Sequence, residues 1–379
     1  MEIEQLRDEI NEIDDELVGL FERRMDVAVR VAQYKRANNV PVLNRGRERQ
    51  IIDRVTGEVK EDLAIYTKIL YSTLFDLSRS YQTSLLSCNS QLEGQIVQAV
   101  ESTAKLFPQK AVVACQGIEG AYSQQACDKL FSLPNIMYFS SFDSVFGAVA
   151  NGLCRYGILP IENSSYGSVN EVYDLMKKHS FFIARSLKLK IDHALLSKHG
   201  VKLAEVKEIF SHEQAIGQCK NFLSSLEGVK ITPVENTAFA AKLVLESGRS
   251  DVAAISSQSC AELYGLSVLR ADVANSDSNY TRFICISKEL EIYPGANKIS
   301  IMMSLPHSPG ALYMAIAKFS ALGLNLCKIE SRPIAGTDFE FMFYFDMDAS
   351  IYSPEVLHLL GDFQKECVGF TFLGSYSEG

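Results

Sequence analysis

The chain has 379 residues, which at roughly 100–200 residues per domain points to two or three domains. Hydrophobic residues make up 47% and charged residues 22%, a balance that excludes a disordered or collagen-like chain. The net charge of −9, from 37 cations and 46 anions, leaves no global basic field for nucleic acid or anionic membrane, so any anion must be held by a local cluster.

Residues 3–37 read as one helix: Leu6, Ile10, Ile13, Leu17, Leu20, Val27, Val31 and Tyr34 recur every three or four positions. At 1.5 Å per residue it would run about 50 Å, longer than a small domain is wide. Asn38-Asn39-Val40-Pro41 should end it. Further helices fit 45–56 and 61–86, making an all-α unit with too few partners for its first helix, and an obligate dimer would supply them.

The stretch 88–107 turns Ser/Gln-rich and suits a linker. From 110 onward short apolar runs (Ala111–Ala114, Tyr156–Pro160, Glu208–Phe210, Lys230–Pro233, Val252–Ile255) alternate with helical stretches at 123–131, 143–151, 168–179, 212–226 and 237–247. That alternation indicates an α/β layer architecture, as one domain or as two similar lobes around a cleft. The last ~80 residues read β (Lys298–Leu305), α (Gly310–Leu322), β (Asn325–Pro333), β (Phe339–Met347), α (Pro354–Lys365), β (Phe370–Ser375), the order of a ferredoxin-like sandwich. The nine cysteines are scattered without CxxC pairs, which argues against a zinc site. No apolar signal core opens the chain and no run approaches the ~18 apolar residues of a membrane span, so a cytoplasmic protein with reduced thiols is expected.

Candidate site residues fall in all three parts. In the first helix Arg24 and Lys35, eleven apart, share a face with Val27, Ala28 and Val31. Buried cations need an anionic partner, and none lies on that stripe, so the missing anion could be a ligand. The segments LRDEINEIDDELVGLFERRMDVAVRVAQYK, VPVLNRGRERQII and LFDLSRSYQ resemble the all-helical chorismate mutase family. That resemblance implies rearrangement of chorismate to prephenate. Arg7, Arg24 and Arg47 would grip two carboxylates, Lys35 and Gln82 would hydrogen-bond the ether oxygen, and Glu48 and Ser78 would complete the pocket. Asn44 stands where the family often carries Asp. A pericyclic reaction needs no nucleophile, metal or cofactor, only a held conformer and donors where charge develops. Arg7 lies seventeen residues from Arg24, about 25 Å along a straight helix, so one small dianion would take Arg7 from a second subunit.

In the central part, Gly117-Ile118-Glu119-Gly120-Ala121-Tyr122-Ser123 runs from a strand into a helix start, where N–H groups can meet an anion or simply make a tight turn. PIENSSYGSV (160–169), SHEQAIGQC (211–219, with His212 as a helix-start residue) and Asn279-Tyr280-Thr281-Arg282-Phe283 are further junctions. Over about 110–290 these resemble the prephenate dehydratase family, which implies a two-lobed fold like that of periplasmic binding proteins. It also implies conversion of prephenate to phenylpyruvate, water and carbon dioxide. The ring hydroxyl must leave as water, which calls for a proton or hydrogen-bond donor near it and groups that grip the carboxylate. Thr281 is the expected donor, with Glu162 as the fallback acid. Asn163, Ser164, Ser211 and Gln218 would surround or position the substrate, and Arg282 would offset charge.

At the end of the chain, Ser308-Pro309-Gly310-Ala311-Leu312-Tyr313 opens a helix with free N–H donors, and Glu330-Ser331-Arg332-Pro333 ends a strand. Both resemble the phenylalanine-binding ACT domain, with Tyr313 where that family usually has Val. Gly310, Ala311, Leu312, Asn325, Glu330, Ser331 and Arg332 would then line a phenylalanine site, between two such units. The three resemblances imply a chain with a mutase domain at 1–87, a linker at 88–107, a dehydratase domain at 108–290 and a regulatory domain at 297–379. It would be a cofactor-free homodimer or higher homo-oligomer acting on chorismate and prephenate, inhibited by L-phenylalanine, with no nucleic acid or membrane partner. The rival readings are a dehydratase, of prephenate or arogenate, whose N-terminal helices only dimerise, and a non-catalytic aromatic-acid sensor.

Overall fold

A computed structural model describes residues 3–38, 45–86, 91–276, 278–334 and 340–379. Two compact units emerge, one of residues 1–95, 304–324 and 352–370, the other of 96–303, 325–351 and 371–379.

In the first unit α1 (Ile3–Ala37) is the long helix its periodicity predicts, followed by α2 (Arg45–Glu58) and α3 (Ala64–Leu86). Met25 and Ala32 of α1, Val55 of α2 and Phe75 of α3 are buried, so α1 is covered only along its second half. Residues 3–23 are exposed throughout, including Ile10 (56%) and Leu17 (53%). The loop expected to end α1 after Asn38, with Asn44, lies outside the described residues. The stretch read as a linker contains helix α4 (Gln91–Ser102), because Leu92, Ile96 and Ala99 form a narrow buried stripe among polar residues.

The chain then alternates β1 (Lys110–Gln116), α5 (Tyr122–Leu130), β2 (Leu133–Phe139), α6 (Phe142–Ala150), β3 (Tyr156–Asn163), the short β4 (Gly167–Ser168), α7 (Asn170–Met176) and β5 (Phe182–Lys190). It crosses through 191–193 into β6 (Ala194–Ser197), β7 (Glu208–Ser211), α8 (Glu213–Gln218), α9 (Lys220–Ser224), β8 (Lys230–Pro233), α10 (Thr237–Glu246), β9 (Val252–Ser256), α11 (Gln258–Tyr264) and β10 (Ser267–Arg270). It returns through 271–279 to β11 (Tyr280–Ser287). One sheet runs β2-β1-β3-β11-β5 with β4 on β3, the other β10-β6-β9-β7-β8. Two sheets joined by two crossovers make two lobes, the second of the alternatives the sequence left open. The core strands read as continuous apolar runs because helices cover them: β9 is buried along its whole length. The stretch read as one helix over 212–226 is two, because the backbone at Cys219 leaves the helical region (φ −110°, ψ 17°).

The last part comprises β12 (Lys298–Ser304), α12 (Ala311–Ala321), β13 (Asn325–Pro333), β14 (Phe341–Asp348), α13 (Pro354–Glu366) and β15 (Thr371–Tyr376). Its four strands form a sheet in the order β13-β14-β12-β15. The final residues run on past β15 along β5: Ser186 N–H donates to Ser377 O and Lys188 N–H to Gly379 O, both at 3.1 Å. Gly374 (φ 145°) lets this strand approach, since a Cβ there would lie 2.5 Å from Ile183 O.

Candidate active sites

The mutase-like residues divide by burial. Ser78 and Gln82, one turn apart on α3, are both 7% exposed and joined by a 3.2 Å hydrogen bond from Gln82 Nε2 to Ser78 Oγ. Arg24, half-buried, donates to Leu74 O (3.3 Å) and lies 5.6 Å from the centre of the Phe75 ring. A carbonyl and an aromatic face therefore hold it, and the described residues give it no carboxylate partner. Lys35 is half-buried, whereas Arg7 and Arg47 are exposed, Arg47 3.5 Å from Gln50 Oε1. Glu48 pairs with Arg79, which also binds Asp76. Sequence reasoning passed over Arg79, whose place in LFDLSRSYQ carries no signal beyond its charge. Within one chain Arg24 and the Ser78–Gln82 pair both contact or lie on α3, and Arg7 sits on the exposed first half of α1.

In the two-lobed part the Asn163 side chain is the organising group. Its Oδ1 accepts from the Ser165 and Tyr166 N–H groups (2.9 and 3.0 Å), and its Nδ2 donates to Asn279 Oδ1 (2.8 Å) and Thr281 Oγ1 (2.9 Å). All four hydrogen-bonding positions of the amide are used, so Asn163 holds the site together instead of offering a free group. Thr281, 9% exposed, accepts through its oxygen and so keeps its hydroxyl proton for another acceptor. Ser164 Oγ donates to Ser278 O (2.8 Å) and accepts from Tyr280 N–H (2.9 Å), pinning the start of β11. Ser211, fully buried, donates its hydroxyl proton to Ile255 O (2.8 Å) inside its own lobe.

Glu162 does not meet the expectation of a fallback acid. Arg282 Nη1 lies 3.0 Å from one of its oxygens and Lys328 Nζ 2.8 Å from the other. Burial pushes its carboxyl up, but the hydrogen bond from Lys328 and the nearby positive charges outweigh that and bring it below the usual range. It is an ionised acceptor. Arg282, 5% exposed, binds four oxygens: Glu162, Asp346 (2.5 Å), the Tyr376 hydroxyl (3.2 Å) and Glu378 (3.5 Å). Its charge offset is thus spent on the chain's own carboxylates.

Gln218, at the end of α8, meets a residue the sequence analysis did not single out. Its Oε1 lies 2.7 Å from Nε2 of His193, which is 2% exposed and whose Nδ1 is 3.3 Å from the Tyr122 hydroxyl. Burial lowers the His193 pKa, and the buried ring holds the Gln218 amide in place through this 2.7 Å contact. His193 sits in the 191–193 crossover, so only tertiary structure reveals its partner. Backbone bonds tie both crossovers to these segments: Asn275 N–H donates to Gln218 O (2.7 Å) and Ile191 N–H to Asn279 O (2.8 Å). The 117–123 turn is packed against α11. A Cβ on Gly120 would stand 2.9 Å from Cys260 Sγ, and Tyr264 donates to Glu119 O (2.6 Å).

The residues expected around phenylalanine are engaged within the chain. Asn325 donates to Asp348 (2.8 Å), Glu330 accepts from Ser168 Oγ (2.5 Å), and Arg332 grips both oxygens of Asp174 (3.1 and 2.8 Å). Ser331 is exposed, and Gly310 adopts φ 87° ahead of α12, whose first residues are Ala311 and Leu312.

Comparison with known proteins agrees with this division. The family "Prephenate dehydratase" matches residues 113–291 and "Chorismate mutase type II" residues 6–83. A bifunctional chorismate mutase/prephenate dehydratase of Enterobacter agglomerans is 32% identical, across 98% of this chain and 95% of that protein. Arogenate dehydratase/prephenate dehydratase 2 of Arabidopsis thaliana is 36% identical over 79% of this chain and 80% of its own length. The crystal structure of an Arthrobacter aurescens prephenate dehydratase in complex with L-Phe superposes with a TM-score of 0.65 at 28% identity, covering 70% of this chain and 89% of that one. The chain belongs to the bifunctional chorismate mutase/prephenate dehydratase family.

Proposed function

We propose that this chain carries out two consecutive steps of phenylalanine biosynthesis and senses the end product. The helical part rearranges chorismate to prephenate, and the two-lobed part converts prephenate to phenylpyruvate, carbon dioxide and water. In the first step Arg24 and Arg7 of a second subunit hold the carboxylates, while Gln82 donates to the ether oxygen as its bond breaks. The exposed apolar first half of α1 supports an intertwined dimer that supplies this second Arg7. In the second step the carboxylate carbon leaves as carbon dioxide, its bonding pair enters the ring, and the C–O bond breaks as the hydroxyl takes up a proton. Gln218, held by His193, presents its amide to the substrate.

The observation that carries the reading is the Asn163–Thr281 hydrogen bond, which leaves the Thr281 hydroxyl as an outward donor at a buried site. The βαββαβ order and the β13-β14-β12-β15 sheet support a ferredoxin-like ACT domain as the phenylalanine sensor. Cytoplasmic placement fits the buried free thiols and the absence, among the described residues, of a helix long and apolar enough to cross a membrane.

The test is an assay of the full chain for phenylpyruvate from chorismate and from prephenate, with arogenate as an alternative substrate and with and without L-phenylalanine. Arg24→Ala should abolish only the first step, and Thr281→Ala should slow only the second, by about 100-fold. No consumption of chorismate would remove the mutase half. Near-normal dehydration by Thr281→Ala would remove the assignment of its hydroxyl.

A further inference from the structure

Asn279 is 2% exposed, and its Nδ2 is a buried donor with no hydrogen-bond partner among the described residues. Its orientation follows from a chain of bonds that begins at the backbone. The Ser165 and Tyr166 N–H groups can only donate, so the Asn163 atom facing them is Oδ1. Asn163 Nδ2 must then face outward, and Asn279 accepts from it through Oδ1 at 2.8 Å. Reversing Asn279 would set two NH2 groups against each other. The Asn279 NH2 is therefore fixed in place and left over.

A buried amide donor without a partner costs stability, and a Ser or Asp at this position would still accept from Asn163. What only the amide adds is the spare N–H. The same Asn163 Nδ2 also donates to Thr281 Oγ1 (2.9 Å), so one nitrogen holds both Asn279 and Thr281. Asn279 immediately precedes β11 and Thr281 is its second residue, and the shared Asn163 Nδ2 draws both side chains to one side. Each has a proton that no described group accepts.

We infer that Asn279 is a second donor to the oxygen that leaves the substrate ring, acting beside Thr281. The inference rests on the dehydratase reading above and adds a residue to it. As the C–O bond breaks, negative charge gathers on the departing oxygen before it takes up a proton from solvent water and leaves as water. The Asn279 N–H and Thr281 O–H stabilise that charge by hydrogen bonding, and Asn279 gives up no proton. Donors already fixed by the fold pay no reorganisation at that moment.

The test compares Asn279→Asp, Asn279→Ala and Thr281→Ala with wild type in the full chain, with prephenate as substrate. Chorismate turnover by the same preparations serves as the folding control. Asn279→Asp keeps an acceptor for Asn163 and loses the donor. It should lower kcat about 100-fold with KM changed less than about threefold, and Asn279→Ala should do the same. Loss under about threefold in both variants, with Thr281→Ala impaired, would overturn the role of Asn279 while leaving the dehydratase reading standing. A loss confined to KM would equally overturn it. A wild-type chain inactive on prephenate would remove both.

Discussion

Lys328, on β13, donates a 2.8 Å hydrogen bond to Glu162 at the end of β3, and the same ammonium lies 2.8 Å from Ser168 Oγ. Glu162 is also bound by Arg282, next to Thr281, so a residue of the C-terminal sheet holds the group beside the dehydratase site. Glu330, two residues on, accepts from that same Ser168. A ligand that draws Glu330 or Arg332 away would change what surrounds Glu162, giving a phenylalanine sensor a physical route to the chemistry.

Lys328→Met should therefore shift the acid side of the dehydratase pH profile. The Glu162 carboxyl is held below its ordinary range, partly by Lys328, so its ionised form persists as pH falls. Removing Lys328 lets the carboxyl rise, and the acid limb of kcat/KM should move to higher pH. An unchanged limb between pH 4 and 8 would uncouple Glu162 from turnover.

Arg282→Met leaves Glu162, Asp346 and Glu378 without their shared cation. Breaking a buried pair from one side costs about 3–5 kcal/mol. An unfolding free energy lowered by that amount is expected, together with lost dehydration. Chorismate turnover should persist below the transition. A change under about 1 kcal/mol would show that the network is dispensable.

Tyr166 of one lobe touches Gly217 of the other, where an added Cβ would fall 1.9 Å from the tyrosine oxygen and 3.2 Å from its ring carbon Cζ. Gly217→Ala should displace the exposed Tyr166 ring and slow the dehydratase by a few-fold. Tyr166→Phe in the same chain removes the closest atom, so the double variant should recover part of that loss. Strictly additive effects would contradict direct contact.

His193→Leu should reduce dehydration by releasing the Gln218 amide, chiefly through KM. His193→Gln places an N–H near the original Nε2 and should restore much of it. If Leu and Gln behave alike, His193 only fills space.

Glu208 gives a pH dependence of stability. Hydrogen bonds from Lys230, Thr232 and Arg249 lower its pKa to about 2, against an ordinary 4.5. A carboxyl depressed on folding stabilises fully above its unfolded pKa and loses that contribution as pH falls through the folded one. Glu208→Gln should thus show a smaller fall in melting temperature between pH 4.5 and 2 than wild type. Equal falls would assign the acid sensitivity elsewhere.

Much of the layout was legible because it is written in periodicity. Leu6 through Tyr34 give α1, and the apolar runs around Val113, Ile158 and Ala254 give strands covered on both faces. Helix α4 was not, since Leu92, Ile96 and Ala99 make a stripe too thin to stand out from its polar neighbours. The motifs name residues that the fold joins, Asn163 to Thr281 and Ser164 to Ser278, but not the task of each residue. Ser211 and Glu162 carry suitable groups, yet Ile255, Arg282 and Lys328, distant in sequence, absorb them. His193 escaped, and Asn279 was named only as part of its motif, because hydrogen bonds across crossovers leave no spacing in the sequence.

The pairing of residues 377–379 with β5 also guards against self-association. Of the strands in its sheet, β5 lies at one end, and its outward N–H and C=O groups at Ser186 and Lys188 are those a foreign strand would seek. Clipping the chain before Ser377 would bare that ladder. Precipitation on storage, with both catalytic centres still intact, is the penalty to expect.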